Sequence, residues 1–260
     1  MAWTNTKTAI VATTAALLTL GIIMLVVVKM DGFGLWSKRV EVPAPRAKAG
    51  PARRAFTNGI NDAHRLPDPL YTYPEGDEVT HRYVEAVVKR FRRELDLSQS
   101  IKSDRELTGE DITNRTIYIY GSPQNHSLFR RMREQLPLVF EDDGIVVGNR
   151  KCVGKDVGAI FVCPNPFNLE QRFLVYGAVS PAALQDMNSV FHGPTDYVVF
   201  NNTTRQFAKR GMRSSDCFLL AGAFDRSDPN HWRVDDALSQ TPPGELQEAT
   251  RDVVVAGRGK

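Results

Sequence analysis

The segment with the clearest potential for binding chemistry is a turn, Gly121-Ser-Pro-Gln-Asn125, that joins an apolar strand to a helix. Ligands of open parallel sheets collect at such strand ends, where the backbone N–H groups of the following helix favour anions. Pro123 removes one of these donors and the turn has no glycine-rich cradle, so a capped turn that serves only the fold is the favoured alternative. The candidate ligand-binding residues of this turn are Gly121, Ser122, Asn125 and the adjacent His126.

A second set of amide side chains follows another apolar strand, in Pro164-Asn-Pro-Phe-Asn168. Because these residues also come directly after a strand, we expect Asn165 and Asn168 to share the crevice rim with Asn125. The favoured alternative is that they only form a turn, since Asn and Pro are typical turn residues.

The histidines form no recognisable catalytic or metal-binding pattern. They contain no His-x-x-x-His or His-Glu-x-x-His pair and have no partnered cysteine, so the sequence indicates neither metal coordination nor nucleophilic catalysis. His126, beside the turn, is the one histidine that merits a test. The full set is His64, His81, His126, His192 and His231.

Two other groups of reactive side chains also lack the spacing of a functional site. Glu141-Asp-Asp143 is expected at a hairpin tip without the ligand spacing of a calcium loop, which favours a solvated turn. Cys152, Cys163 and Cys217 are odd in number and have no Cys-x-x-Cys spacing, which argues against a disulfide scaffold and a zinc site. Buried small hydrophobes are the favoured interpretation, with a Cys152–Cys163 disulfide as the alternative in an exported domain. The sequence therefore predicts no catalytic residue, no metal and no cofactor.

The composition indicates a folded domain with no affinity for nucleic acid. Hydrophobic residues make up 42% of the chain and charged residues 24%, values typical of globular proteins. The net charge of +3 is a small excess, and much of it falls in the segment before the domain. We therefore expect no nucleic-acid partner.

Two strand–helix units position the candidate turns and predict the fold. In each unit a Ser-Pro pair opens the helix, at Ser122-Pro123 and at Ser180-Pro181, as N-cap and first helical residue. Right-handed crossovers would make the strands of these units a parallel sheet. The predicted strands are Thr116–Tyr120, Gly158–Val162, Phe173–Gly177, Asp196–Phe200 and Cys217–Phe224.

The remaining elements complete an α/β assignment. An apolar stripe between Asp77 and Leu95 predicts the first helix, and Thr108 with Asp111 forms a capping-box pattern for a short second one. The Asp-Gly pair within Phe140–Val147 indicates a β-hairpin insertion. The sequence thus predicts a three-layer, Rossmann-like α/β domain with a mostly parallel sheet, preceded by one transmembrane helix.

Residues 8–28 carry no charge and are long enough, as a helix, to span the hydrocarbon core of a bilayer. A cleaved signal peptide is the alternative, but no small-residue cleavage site follows promptly. We therefore expect a single-pass anchor with the lipid bilayer as its partner. The predicted organisation is a tail at 1–7, the anchor at 8–28, a basic Pro/Ala-rich linker at 29–75, the soluble α/β domain at 76–240 and a loosely ordered tail at 241–260.

The two indications of membrane orientation disagree. Basic residues are more numerous after the anchor than before it, which by the positive-inside rule places the domain in the cytoplasm. Residues 3–11, however, are similar to an anchor segment that follows extracytoplasmic-function sigma factor domains in some bacteria, which implies an exported domain. We expect the extracytoplasmic arrangement.

About half of the chain, from Ile101 to Asp225, resembles an α/β domain found beside or within predicted α/β-hydrolase and prolyl-oligopeptidase-like esterases of bacteria. The matching stretches are Asp104–Ile112, Ile119–Asn125, Leu136–Pro137, Gly144–Gly148, Gly158–Asn168, Asp196–Phe200 and Ala221–Asp225. The resemblance implies a bacterial protein that works beside a hydrolase. It carries over no catalysis, because neither Ser122 nor Ser180 lies in a Gly-x-Ser-x-Gly motif, and it departs from the family at Asn114-Arg115.

Three functional hypotheses follow. The first is a membrane-tethered, non-catalytic module that binds a ligand or protein in the crevice beside Gly121–Asn125 and Pro164–Asn168. The second is an accessory domain of a separate hydrolase or envelope protein, or a weak serine hydrolase that uses Ser122 and His126. The third is a scaffold whose only role is anchoring.

Overall fold

The structure is a computed structural model that describes residues 59–185, 187–228 and 231–257. The predicted N-terminal tail, the predicted anchor at 8–28 and the first part of the predicted linker lie outside these residues. Within them, no helix has both the length and the apolar character needed to cross a bilayer.

A seven-stranded sheet in the order β10-β9-β7-β8-β3-β1-β2 forms the centre of the domain. Its strands are β1 (Pro69–Tyr73), β2 (Ile101–Ser103), β3 (Thr116–Gly121), β7 (Gly158–Pro164), β8 (Arg172–Ala178), β9 (Tyr197–Phe200) and β10 (Leu220–Gly222). A four-stranded antiparallel sheet contains β4 (Val139–Glu141), β5 (Gly144–Val147), β6 (Arg150–Val153) and β13 (Val254–Ala256), and a small pair contains β11 (Phe224–Asp225) and β12 (Arg233–Val234).

The helices connect and cover these strands. They are α1 (Gly59–Ala63), α2 (Glu78–Phe91), α3 (Leu97–Ser100), α4 (Gly109–Asn114), α5 (Ser127–Met132), α6 (Pro181–Leu184), α7 (Asn202–Lys209) and α8 (Gly244–Ala249). The Asp77 side chain caps α2, and Thr108 and Asp111 form the predicted capping box of α4. The predicted hairpin is β4–β5.

The main sheet is mixed, with a parallel part and an antiparallel part. Strands β2, β1, β3 and β8 pair in parallel, as predicted, but β7 is antiparallel to both of its neighbours, β8 and β9. Pro164, the last residue of β7, pairs with Arg172, the first of β8. So short a connection cannot make the crossover that parallel strands need, so β7 and β8 form a hairpin.

The prediction of a linker up to residue 75 is wrong for its last part. Residues 59–63 form α1, and β1 lies inside the main sheet between β3 and β2. Leu70, Tyr71 and Thr72 are buried, so β1 has apolar surroundings on both faces and shows no polar alternation in its sequence. Pro69 is tolerated because it is the first residue of the strand.

The prediction of a loose tail after residue 240 is also wrong. Gln240 bridges to Ala221, Leu246 of α8 is fully buried, and β13 pairs with β6 at the edge of the smaller sheet. The valines of β13 are branched at Cβ and favour a strand when the edge of a sheet is available for pairing. The local sequence does not reveal that β6 provides such an edge.

The two faces of the main sheet carry different side chains. Register pairs Tyr71 with Tyr118 and Tyr120 with Tyr176, so these four rings lie on one face, which we call the tyrosine face. Helix α2 covers this face, with Tyr83 in an edge contact with Tyr120. On the opposite, packed face, Phe140 of the smaller sheet contacts Phe129 of α5 and Phe161 of β7.

Candidate functional site

The turn after β3 is closed by its own side chains. The Ser122 backbone N–H and hydroxyl both donate to Asn125 Oδ1, at 2.8 and 3.0 Å, and Ser122 is buried. Gly121 has φ +153°, and a Cβ there would lie 3.0 Å from Asn125 Oδ1 and 3.1 Å from His126 Cβ. Gly121, Ser122 and Asn125 are therefore used to build the turn.

His126 is fully buried on the packed face, and protein groups engage both of its ring nitrogens. Nδ1 accepts from the Phe129 N–H, and Nε2 lies 3.0 Å from the Thr72 hydroxyl. That hydroxyl donates to the Tyr118 carbonyl at 3.0 Å, so Nε2 is the donor to Thr72 and the imidazole is neutral. Burial lowers the pKa of His126 to about 4, although Asp104 opposes this shift.

Ser122 and His126 do not make a nucleophile–base pair. The described hydrogen bonds join them only through the backbone, from the His126 N–H to the Ser122 carbonyl. The Ser122 hydroxyl instead donates to Asn125. An active serine needs a basic nitrogen within reach of its hydroxyl, and here the imidazole is held by Thr72 and Phe129.

Asn165 and Asn168 lie at the opposite edge of the sheet from the turn. Because β7 is antiparallel to β8, its carboxyl end is next to the amino ends of β8 and β3. Asn165 Nδ2 donates to the Ile112 carbonyl, and Asn168 Nδ2 donates to the Thr113 carbonyl at 2.7 Å. These amides tie the β7–β8 loop to the end of α4, and the structure does not bring them together with Asn125.

A cavity of about 490 Å³ opens on the tyrosine face instead. We call it the His–Tyr cavity. The rings of Tyr118, Tyr120 and Tyr176 form its buried floor, and the exposed side chains of Asn61 and Phe91 lie at its mouth. Its remaining lining residues are His64, Tyr71, Val87, Arg92, Asn188, Phe191, His192 and Gly193.

A chain of hydrogen bonds runs through the cavity wall. Tyr176 Oη lies 3.3 Å from His64 Nε2 and 3.1 Å from His192 Nε2, so this hydroxyl bridges the two imidazoles. His192 also bonds the Val190 backbone, which leaves its Nε2 as the acceptor of the Tyr176 proton. Tyr176 then accepts from His64 Nε2.

The histidines and tyrosines of this wall are uncharged near neutral pH. Burial lowers the pKa of His64 to about 3, with smaller electrostatic contributions from His192 and Arg92, and burial also lowers the pKa of His192. Burial likewise raises the pKa of Tyr118, and it raises that of Tyr176 well above its ordinary value. The wall therefore presents neutral donors and acceptors to whatever enters.

Arg92 is the charged member of the described lining. It follows the last residue of α2, its Nε donates to Tyr71 Oη at 3.4 Å, and its Nη2 donates to the His64 carbonyl. The lining contains no Asp or Glu among the described residues, and in that part of the chain Arg92 forms no ion pair. The cavity is therefore an electropositive, aromatic site.

The other reactive groups do not add chemistry to this cavity. Over the described ranges, no three His, Cys, Asp or Glu side chains converge in a way that could hold a metal ion. Cys152, Cys163 and Cys217 are buried free thiols, and burial raises the pKa of Cys152 and Cys163 to about 12. Such thiols stay protonated and are poor nucleophiles. At the β4–β5 turn, Lys151 pairs with Glu141 and Asp143.

Sequence reasoning missed this cavity because His64 and His192 are far apart in the chain and share no motif. The sheet brings them together, with ring centroids 5.2 Å apart. The available signal was the alternation of Tyr118 and Tyr120 in a predicted strand, which places both rings on one face.

Comparison of the chain with models of known protein families, with curated proteins and with solved structures finds no match in any of the three.

Proposed function

We propose that this chain is a membrane-tethered α/β module that binds a small organic molecule in the His–Tyr cavity. The observation that carries the proposal is the convergence of neutral polar groups on an aromatic cavity of about 490 Å³. Volumes of roughly 300–1,000 Å³, with a mostly apolar lining and a few directed polar groups, are typical of ligand sites. The tether at 8–28 is part of the proposal and rests on the uncharged, apolar sequence of that segment.

Binding is favoured over catalysis because the wall offers no effective base. An imidazole with a pKa of about 3, as at His64, takes up protons too weakly to act as a general base near neutral pH. The described thiols are buried, and the Ser122 hydroxyl has no basic partner. The groups that do face the cavity are suited to orienting a bound molecule by hydrogen bonds.

A cavity is also an unfavourable feature for a scaffold. Empty space beside buried aromatic rings sacrifices packing contacts, and a buried hydrogen-bonded chain adds desolvation costs. A protein with no role beyond anchoring would be more stable with this volume filled. A bound molecule would recover the lost packing contacts.

The test is a binding screen on the full chain in lipid nanodiscs, read by saturation-transfer NMR with phenol, benzoate, benzamide and benzylamine. Val87 lines the cavity from α2 and is 8% exposed, so Val87→Phe should place a ring inside the cavity and block binding. Val79 lies on the same helix outside the lining and is 46% exposed, which makes Val79→Phe the matched control.

We expect at least one probe to bind the wild-type chain and the Val79→Phe variant but not Val87→Phe. If a probe still binds to Val87→Phe, its binding site is not the His–Tyr cavity. A wild-type chain that binds no probe of the set would contradict the proposed function.

A further inference from the structure

The positive charge of Arg92 in the cavity lining favours some organic molecules over others. Arg92 brings a guanidinium to the lining, which contains no carboxylate among the described residues. Arg92 is only partly exposed, so a charge facing it is screened less than one on an open surface. A ligand that carries a negative group would complete an ion pair that the described protein residues do not supply.

The end of α2 opposes this preference, but weakly. Arg92 caps the carboxyl end of α2, where the helix dipole places negative partial charge. Lys89 in the last turn is paired with Glu85. Arg90 and Arg93 add positive charge near the cap, and Glu94 adds a negative one. Arg92 is therefore the source of positive charge within the described lining.

The rest of the lining selects for shape and for a neutral polar end. Tyr120 and Tyr176 stack on each other, with centroids 4.4 Å apart and planes at 4°, so each ring covers one face of its neighbour. The ring edges that remain carry positive partial charge and favour the face of a planar aromatic ring in an edge contact. Tyr176 Oη, which accepts one hydrogen bond from His64, keeps a second lone pair that can accept from a hydroxyl group.

We infer that the ligand is a planar aromatic carboxylate, whose carboxylate pairs with Arg92 and whose ring lies on the tyrosine floor. This inference rests on the proposed function, since it names the class of molecule for the same cavity. A phenolic hydroxyl on the far side of the ring would meet the chain of His64, Tyr176 and His192. para-Hydroxybenzoate is the simplest molecule with both features.

The experiment compares three probes of nearly equal shape by titration of the full chain: para-hydroxybenzoate, its neutral amide and its cationic benzylamine analogue. A charge-assisted hydrogen bond is about twice as strong as a neutral one, so the carboxylate should bind at least about tenfold more tightly than the amide. The amine should bind most weakly.

Arg92→Gln, with Arg93→Gln as the neighbouring exposed control, assigns the effect to one residue. In Arg92→Gln we expect the affinity for the carboxylate to fall about tenfold and that for the amide to change less than about twofold. Arg93→Gln should change neither. Equal weakening of carboxylate and amide would show that Arg92 only supports Tyr71 and His64, and would overturn the inference.

The wild-type series decides the question even if Arg92→Gln does not fold. If the amide binds as tightly as the carboxylate, the inference is wrong while the proposed function stands. If no probe of either series binds the wild-type chain, the proposed function fails and the inference fails with it.

Discussion

Two faces of one sheet each bury histidine, and they use it differently. On the packed face, His126 caps α5, donates to Thr72 and is fully buried. On the tyrosine face, His64 and His192 meet at the Tyr176 hydroxyl beside an open cavity. Burial lowers the pKa of His126 to about 4 and that of His64 to about 3, so the shift alone does not separate the two.

The difference shows that a histidine with a lowered pKa marks a candidate binding site only where it also borders a cavity. A buried structural imidazole and a ligand-facing one both lose solvation, and both favour the neutral form. What distinguishes the tyrosine face is hydrogen-bonding groups that border a cavity of about 490 Å³. On the packed face, the imidazole of His126 instead caps a helix.

The largest expected effect on stability is that of removing the packed-face histidine. His126→Ala leaves a cavity and removes the partners of the Thr72 hydroxyl and the Phe129 N–H, so we expect the free energy of unfolding to fall by about 3–4 kcal/mol. His192→Ala, beside space that already admits solvent, should cost only about 1–2 kcal/mol. Urea denaturation of both variants measures the difference.

A His192→Ala variant as unstable as His126→Ala would remove the distinction, because the tyrosine-face histidines would then be part of the packed core. His126→Asn provides a control for the cap. Asn is a good N-cap residue, so this variant should recover part of the stability that Ala loses.

The elements that were predictable from sequence are those with a local signal. The stripe from Asp77 to Leu95 became α2, the Thr108–Asp111 pattern became a capping box, and the Asp-Gly pair became the β4–β5 hairpin. Strand β1 and the C-terminal β13 were missed because each is short and depends on neighbours that are distant in the chain. The direction of β7 was missed because it depends on the length of the following loop.

The candidate residues failed in a different way. Gly121, Ser122 and Asn125 form a closed turn, as the favoured alternative held. The prediction that Ser122-Pro123 opens the helix is wrong, because the helix begins at Ser127 with His126 as its N-cap. The predicted joint rim with Asn165 required β7 to run parallel to β3, and its reversal separates the two groups. His64 and His192 carry no spacing signal, since only the three-dimensional order of strands makes them neighbours.

A smaller effect on the free energy of unfolding is expected from substitutions that enlarge a side chain on either face of the sheet. A Cβ on Gly177 of β8 would lie 2.5 Å from the ring of Phe140 and 3.1 Å from that of Phe129, and both rings are buried. We expect Gly177→Ala to cost about 2–3 kcal/mol, because a close-packed core must distort to admit even a methyl group. Val87→Phe adds far more volume, but into the cavity, and should cost less than about 1 kcal/mol.

Thermal or urea unfolding of the two variants, with Val79→Phe as a surface control, compares the faces directly. If Val87→Phe destabilises the chain more than Gly177→Ala, the tyrosine face has no usable space. That result would count against a cavity site of any kind.

The smallest effect is the pH dependence of stability that His126 and His64 contribute. Both have folded-state pKa values below the value of about 6.5 expected in the unfolded chain, so the folded state binds fewer protons. Their contribution to stability is complete above pH ~6.5 and is lost as pH falls toward 4 and 3. For His126 this linkage amounts to about 2 kcal/mol between pH 7 and pH 5.

The folded-state pKa values of about 4 and about 3 both lie below pH 5, so the two histidines should contribute nearly equally between pH 7 and pH 5, and we expect His126→Asn and His64→Asn to flatten the pH dependence to a similar extent. Asp104, which faces His126, accepts N–H groups from Ser127 and Glu75, and these bonds outweigh burial to lower the pKa of its carboxyl. It therefore titrates below this pH window. Urea unfolding of both variants at pH 7 and pH 5 measures each contribution, and a variant whose stability keeps the pH dependence of the wild type would contradict the prediction for that histidine.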